Sequence, residues 1–124
     1  MKKKIMAVDD EPDQIFTVKS ILEDLSDELE VIEVTSGKQC LELLENNQIP
    51  DLIFLDVMMP GMNGWDLAAE IKRNPKWNKI PIVFLTAKTD PLCKTFGGIV
   101  CEEYITKPFE VKDLKMCIDK YLTN

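Results

Sequence analysis

Five short apolar runs, separated by longer segments of helical period, constrain this chain more than anything else in it. The runs are Ile5 to Val8, Val31 to Thr35, Leu52 to Leu55, Ile82 to Thr86 and the weaker Tyr104 to Thr106. Only the second alternates strongly. Near-continuous apolar runs belong to strands covered on both faces, the condition of a parallel sheet. Between the runs, one stripe carries Ile15, Val18, Leu22 and Leu25, and Gly37 to Asn47 carries Leu41 and Leu44. Trp65 to Arg73 then carries Leu67, Ala68 and Ile71, and the last segment carries Val111, Leu114, Ile118 and Tyr121. These are amphipathic helix patterns. Pro12 suits a first helical turn, which needs no amide there. Asp90-Pro91 reads as an N-cap followed by proline, and Gly97-Gly98 predicts that this fourth helix is short.

The rhythm is (βα)5 without a linker, a repeat or a low-complexity stretch, so one α/β domain over residues 1–124 is expected. A composition of 45% hydrophobic and 30% charged residues supports a core and argues against disorder. The net charge of −7 opposes nucleic-acid binding, which depends on releasing counterions from phosphates. The N-terminal apolar stretch stops at Asp9-Asp10-Glu11, too soon for a signal peptide, and no run approaches a membrane span. A cytoplasmic address without membrane contact is therefore expected. Cysteines at 40, 93, 101 and 117 form no Cys-x-x-Cys pair, and the chain has no histidine. A zinc site of the usual spacing is thus excluded, as is histidine-based general-base catalysis within this chain. Buried free thiols are expected instead.

Right-handed crossovers bring the C-terminal ends of parallel strands to one edge, where open α/β sheets bind ligands. Strand one ends in Asp9-Asp10-Glu11, strand three in Asp56, strand four in Thr86-Ala87, and strand five runs into Lys107-Pro108. Taken singly, each has a plainer use. Asp9 and Asp10 suit helix caps, Asp56 a polar turn before Pro60-Gly61, Thr86 a strand position and Lys107 a solvated surface. Met58, Met59 and Met62 suit packing. Their convergence on one edge is what favours a site. Three carboxylates against one ammonium leave unneutralised negative charge, which a divalent cation completes. Oxygen ligands without imidazole or paired thiolates favour Mg²⁺ or Mn²⁺, and such an ion beside a carboxylate suits phosphoryl transfer to aspartate.

These residues resemble the receiver domain of two-component response regulators over nearly the whole chain. The resemblance rests on Asp9-Asp10, on Asp56-Val57-Met58-Met59-Pro60-Gly61-Met62-Asn63-Gly64, on Thr86-Ala87 and on Tyr104-Ile105-Thr106-Lys107-Pro108-Phe109. It implies a flavodoxin-like three-layer sandwich around a parallel five-stranded sheet in the order 2-1-3-4-5. It implies Asp56 as phosphoacceptor, with Asp10 as a direct Mg²⁺ ligand, Asp9 a ligand largely through water, and Met58 contributing its backbone carbonyl. Lys107 is implied to pair with the phosphoryl oxygen, with a cis bond to Pro108, and Thr86 and Tyr104 to form the switch pair. The output surface would be the fourth helix, the fifth strand and the fifth helix. In place of the family's usual Gly-Ala ahead of the switch aromatic stands Val100-Cys101, so a shorter or more mobile fourth helix is expected.

The function implied is a phosphorylation-dependent switch, loaded by a sensor histidine kinase or phosphotransfer protein and acting on a downstream protein. It would be a monomer or a phosphorylation-linked dimer, and would catalyse only its own phosphoryl transfer and slow dephosphorylation. An aspartyl-phosphate phosphatase is the enzymatic rival, but that family wants an aspartate two residues after its nucleophile. Here Met58 follows Asp56 and Glu11 follows Asp9 at that distance. A pseudo-receiver that only binds partners is a second alternative. A flavin or nucleotide domain is disfavoured, since five glycines form neither G-x-G-x-x-G nor a P-loop.

Overall fold

The structure is a computed structural model that describes residues 2–57, 59, 61, 63–86 and 103–122, with Thr86 described by its backbone alone. Met58, Lys88, Cys93, Cys101 and the whole expected fourth helix lie outside the described residues.

The strands are β1 (Lys3–Val8), β2 (Leu29–Val34), β3 (Leu52–Asp56), β4 (Ile82–Thr86) and β5 (Glu103–Thr106). They form one parallel sheet in the order β2-β1-β3-β4-β5, the flavodoxin-like arrangement. The helices among the described residues are α1 (Pro12–Leu25), α2 (Gly37–Glu45), α3 (Gly64–Arg73) and α4 (Val111–Leu122), the last helical segment of the sequence.

Strand period divides the core into two halves. Met6, Val8, Ile53, Leu55, Ile82 and Phe84 face one side, where Cys40 and Leu44 of α2 and Leu67, Ala68 and Ile71 of α3 close over them. Ile5, Ala7, Leu52, Phe54, Val83 and Leu85 face the other, under Ile15, Val18 and Leu22 of α1 and Leu114, Cys117 and Leu122 of α4. All of β3 is buried, as expected of the central strand of a doubly covered sheet. Fully burying a side chain such as Leu67 or Ile71 contributes about 1.5–3 kcal/mol.

Helix ends follow local chemistry. Ser36 and Asn63 cap α2 and α3 through bonds accepted from the amides of Gln39 and Asp66, at 3.1 and 2.9 Å. α1 begins without a side-chain cap at Glu11, with Pro12 in its first turn. α2 ends on Asn47 at φ 64°, with Asn47 N donating to Leu44 O and Gln48 N to Leu43 O, the paired bonds of a Schellman motif.

α4 departs from the expected stripe. Val111 is half exposed, and the fully buried positions are Leu114 and Cys117, with Leu122 close behind. Ile118 and Tyr121 are partly buried at the rim of the same cluster. Cys117 is fully buried in the second half of the core and reaches Glu103 of β5, so the buried stripe runs through it rather than through Val111. Cys40 and Cys117 are free and buried, and burial raises both thiols to about 12; for Cys117, donation to Glu103 Oε2 at 3.3 Å adds to the effect.

Candidate acidic site at the sheet edge

Sheet order places the site. The chain leaves β1 toward β2 on one side and returns to β3 on the other, so a crevice opens beyond the ends of β1 and β3. Val8 lies beside Leu55 in register, which sets Asp9 beside Asp56 across that crevice. Both follow strand residues that face α2 and α3, so strand alternation turns both toward the α1 and α4 side. Lys107, which continues β5 one residue past Thr106, has the same parity.

The side chains meet accordingly. One carboxylate oxygen from each of Asp9, Asp10 and Asp56 lies within 4.8 Å of the other two. Asp9 and Asp56 are 6% and 7% exposed, the only buried charged residues among those described, while Asp10 is more open. The Lys107 ammonium donates to Asp9 Oδ2 at 3.1 Å and stands 3.9 Å from Asp56 Oδ1. Asp9 Oδ1 accepts from the backbone amide of Glu11 at 2.9 Å. Asp9 thus does serve the entry to α1, but from two residues ahead of it and while holding Lys107. The Lys107–Pro108 peptide bond is cis.

Among the described residues, one ammonium answers three clustered carboxylates, which leaves these four groups net negative. Oxygen donors on a rigid strand end, partly withdrawn from water, suit a hard divalent cation such as Mg²⁺, and among the described residues neither imidazole nor thiolate joins them. A groove lined by Gln14, Thr17, Lys107, Pro108 and Phe109 opens beside the cluster. A separate groove lies between Leu44, Ile49 and Trp77, away from the carboxylates. Tyr104 packs, partly buried, against the α2 and α3 half of the core, as does Trp65, whose ring meets Phe84 edge-on at 4.5 Å. The side chain of Thr86, and Met58 entirely, lie outside the described residues.

Sequence reasoning named Gly64 as part of a motif without seeing its task. A Cβ at Gly64 would overlap the carbonyl oxygen of Asp56 and lie 2.8 Å from Val57 Cα. Only glycine lets α3 start this close to the end of β3. No local pattern announces such a contact, because it depends on how the helix is set against the sheet.

An acidic cluster answered by a lysine, at the switch point of a 2-1-3-4-5 sheet, defines a phosphoryl-accepting signalling domain, and residues 5–119 match the response regulator receiver domain family. The chain belongs to that family. It is 34% identical over 96% of its length to the response regulator SaeR of Staphylococcus aureus, and spans 50% of that protein. It is 35% identical over 97% of its length to a probable cyclic di-GMP phosphodiesterase of Vibrio cholerae, of which it spans 26%. Among solved structures it resembles the chemotaxis protein CheY4 of Vibrio cholerae, with a TM-score of 0.87, 27% identity and coverage of 98% and 99% of the two chains. The chain is a receiver, a phosphoryl-accepting signalling switch, and spans half or less of the curated relatives just named.

Proposed function

We propose that Asp56 is the phosphoacceptor of this receiver, and that Asp9, Asp10 and Lys107 are the groups that make its carboxylate reactive. The observation that carries this is the convergence of three carboxylates within 4.8 Å, with Lys107 bound to one and 3.9 Å from another.

A carboxylate oxygen of Asp56 attacks the phosphorus of a phosphohistidine on a sensor histidine kinase or phosphotransfer protein. The new O–P bond forms as the P–N bond breaks, and the imidazole departs with the electron pair. Asp9, Asp10, Asp56 and the Met58 backbone carbonyl would hold Mg²⁺ or Mn²⁺, which when bound neutralises charge on the transferring phosphoryl group. Lys107 sits where its ammonium can exchange Asp9 for a phosphoryl oxygen, a charge-assisted contact absent from the unmodified protein. Thr86 and Tyr104 form the switch pair. The phosphoryl group carries about −2 charge in place of −1, so contacts to its oxygens favour a second conformation of the surface of the expected fourth helix, β5 and the last helix α4. That surface acts on a protein target in the cytoplasm, as a monomer or a phosphorylation-linked dimer. Catalysis is confined to the domain's own phosphorylation and slow dephosphorylation, over a domain of residues 1–124.

Intact mass after incubation with a small acyl-phosphate donor tests the assignment. Wild type should gain one phosphoryl group in a Mg²⁺-dependent manner, and folded Asp56→Asn should gain none. A phosphoryl group retained elsewhere in Asp56→Asn would overturn it, and no gain in wild type would favour the pseudo-receiver.

A further inference from the structure

We infer that Gly64 is a positioning residue for phosphoryl acceptance: by lacking a side chain it lets the first turn of α3 set the backbone of Asp56 and Val57. This deepens the phosphoacceptor assignment and rests on it.

The contact is backbone against backbone. The Gly64 amide donates to Val57 O at 2.8 Å, and a Cβ on Gly64 would overlap Asp56 O and crowd Val57 Cα. Neither atom belongs to a flexible side chain that could swing aside. Either the strand end, the helix or the connector between them must yield to a larger residue.

Two of these three are fixed. Asp56 ends the central strand, paired with Leu85 on one side and following Leu55, which pairs with Val8 on the other. α3 is pinned by Leu67, Ala68 and Ile71, each 0% exposed. A larger residue therefore strains the junction at Val57, where the connector leaves the strand. That connector begins with the carbonyl Gly64 holds, and its next residue, Met58, carries the carbonyl expected to bind the metal. A methyl group at position 64 would disturb the site from outside it, although Gly64 touches neither phosphoryl group nor cation.

Partners beyond the first ligands commonly change metal affinity by about 10–100-fold when altered. Gly64→Ala should accordingly bind Mg²⁺ about 10-fold or more weakly and take up phosphoryl groups from a small acyl-phosphate donor correspondingly more slowly. Ile71→Val and Leu67→Ala loosen α3 without touching the Asp56 backbone, and should lower the melting temperature while keeping the wild-type Mg²⁺ dissociation constant. Wild-type Mg²⁺ affinity and phosphorylation rate in a folded, destabilised Gly64→Ala would overturn the inference and leave Gly64 a packing residue.

Should Gly64→Ala fail to fold, amide exchange in wild type decides. The Gly64 amide should be as protected as that of Leu67, and its resonance should move on Mg²⁺ addition. An unprotected amide that ignores Mg²⁺ would overturn the inference. Failure of the phosphoacceptor assignment is distinguished by wild type itself, which would then gain no phosphoryl group or gain it in Asp56→Asn as well.

Discussion

Asp9 is asked to do two things with two oxygens. Oδ1 takes the Glu11 amide at the entry to α1, and Oδ2 takes Lys107, so its carboxylate is held on both sides. Asp10, more open, has neither bond and adds like charge to the cluster. Asp10→Asn should therefore stabilise the Mg²⁺-free domain, by about 1 kcal/mol for one like-charge contact in a largely aqueous setting. Thermal unfolding in chelator measures it, and a lower midpoint than wild type would contradict the repulsion. Lys107→Ala acts in the opposite sense, since Asp9 loses the ammonium bound at 3.1 Å and Asp56 a cation at 3.9 Å. It should lower Mg²⁺-free stability, by up to about 3 kcal/mol, and should still accept a phosphoryl group while losing the conformational response. An unchanged response, followed by amide resonances of β5 and α4, would remove Lys107 from the switch. The buried thiols give a pH dependence with a definite sign. Cys40 and Cys117 stay neutral in the folded protein to about 12, against an ordinary value of 9.0. An unfolded chain loses those protons first, so stability is full below pH 9 and falls as pH rises toward 12. Urea midpoints across that window should decline more steeply in wild type than in a variant with both cysteines replaced by alanine.

At the scale of elements, caps and buried stripes carry separable energies. Ser36 caps α2 remote from the acidic cluster, so Ser36→Ala should cost about 1 kcal/mol and leave phosphoryl uptake unchanged. Loss of uptake with retained fold would show that α2 communicates with the site. Leu67→Ala, at a fully buried position of α3, should cost about 2–5 kcal/mol, read from urea denaturation. β5 and α4 are joined by polar contacts as well as by burial. Glu103 accepts from Cys117 Sγ at 3.3 Å and pairs with Lys120 at 3.4 Å, immediately before Tyr104. Tyr104 thus lies on a strand already tied to the last helix.

Across the whole molecule, the acidic edge and the core make opposite demands. Two half-cores, one under α2 and α3 and one under α1 and α4, hold five strands in a fixed order. That rigidity is what keeps three carboxylates together against their repulsion. A cation bound only by the folded state returns the cost, and Mg²⁺ at a hundred times its dissociation constant should add about 2.7 kcal/mol of stability. The gain should vanish in Asp10→Asn, and a melting temperature indifferent to Mg²⁺ in wild type would argue against the site. No helix among the described residues is long and apolar enough to cross a membrane, in keeping with the mixed charge of these helix surfaces.

The sequence by itself determined the strand and helix periods and the motif residues gathered at one edge. Such features are local: Ile82 to Thr86 reads as a strand because of its own side chains, and Asn63 caps because it can accept a neighbouring amide. Its limits were also local. The stripe read on the last helix included Val111, because apolar spacing alone cannot tell which side of a helix a sheet will cover; Cys117 took that place. Tertiary structure alone decided that Lys107 meets Asp9, 98 residues away in the chain, at 3.1 Å, and that Gly64 must lack a side chain beside Asp56. Both depend on strand order and on how a helix is seated against the sheet, and those are settled by packing distant segments together rather than by any segment's own composition.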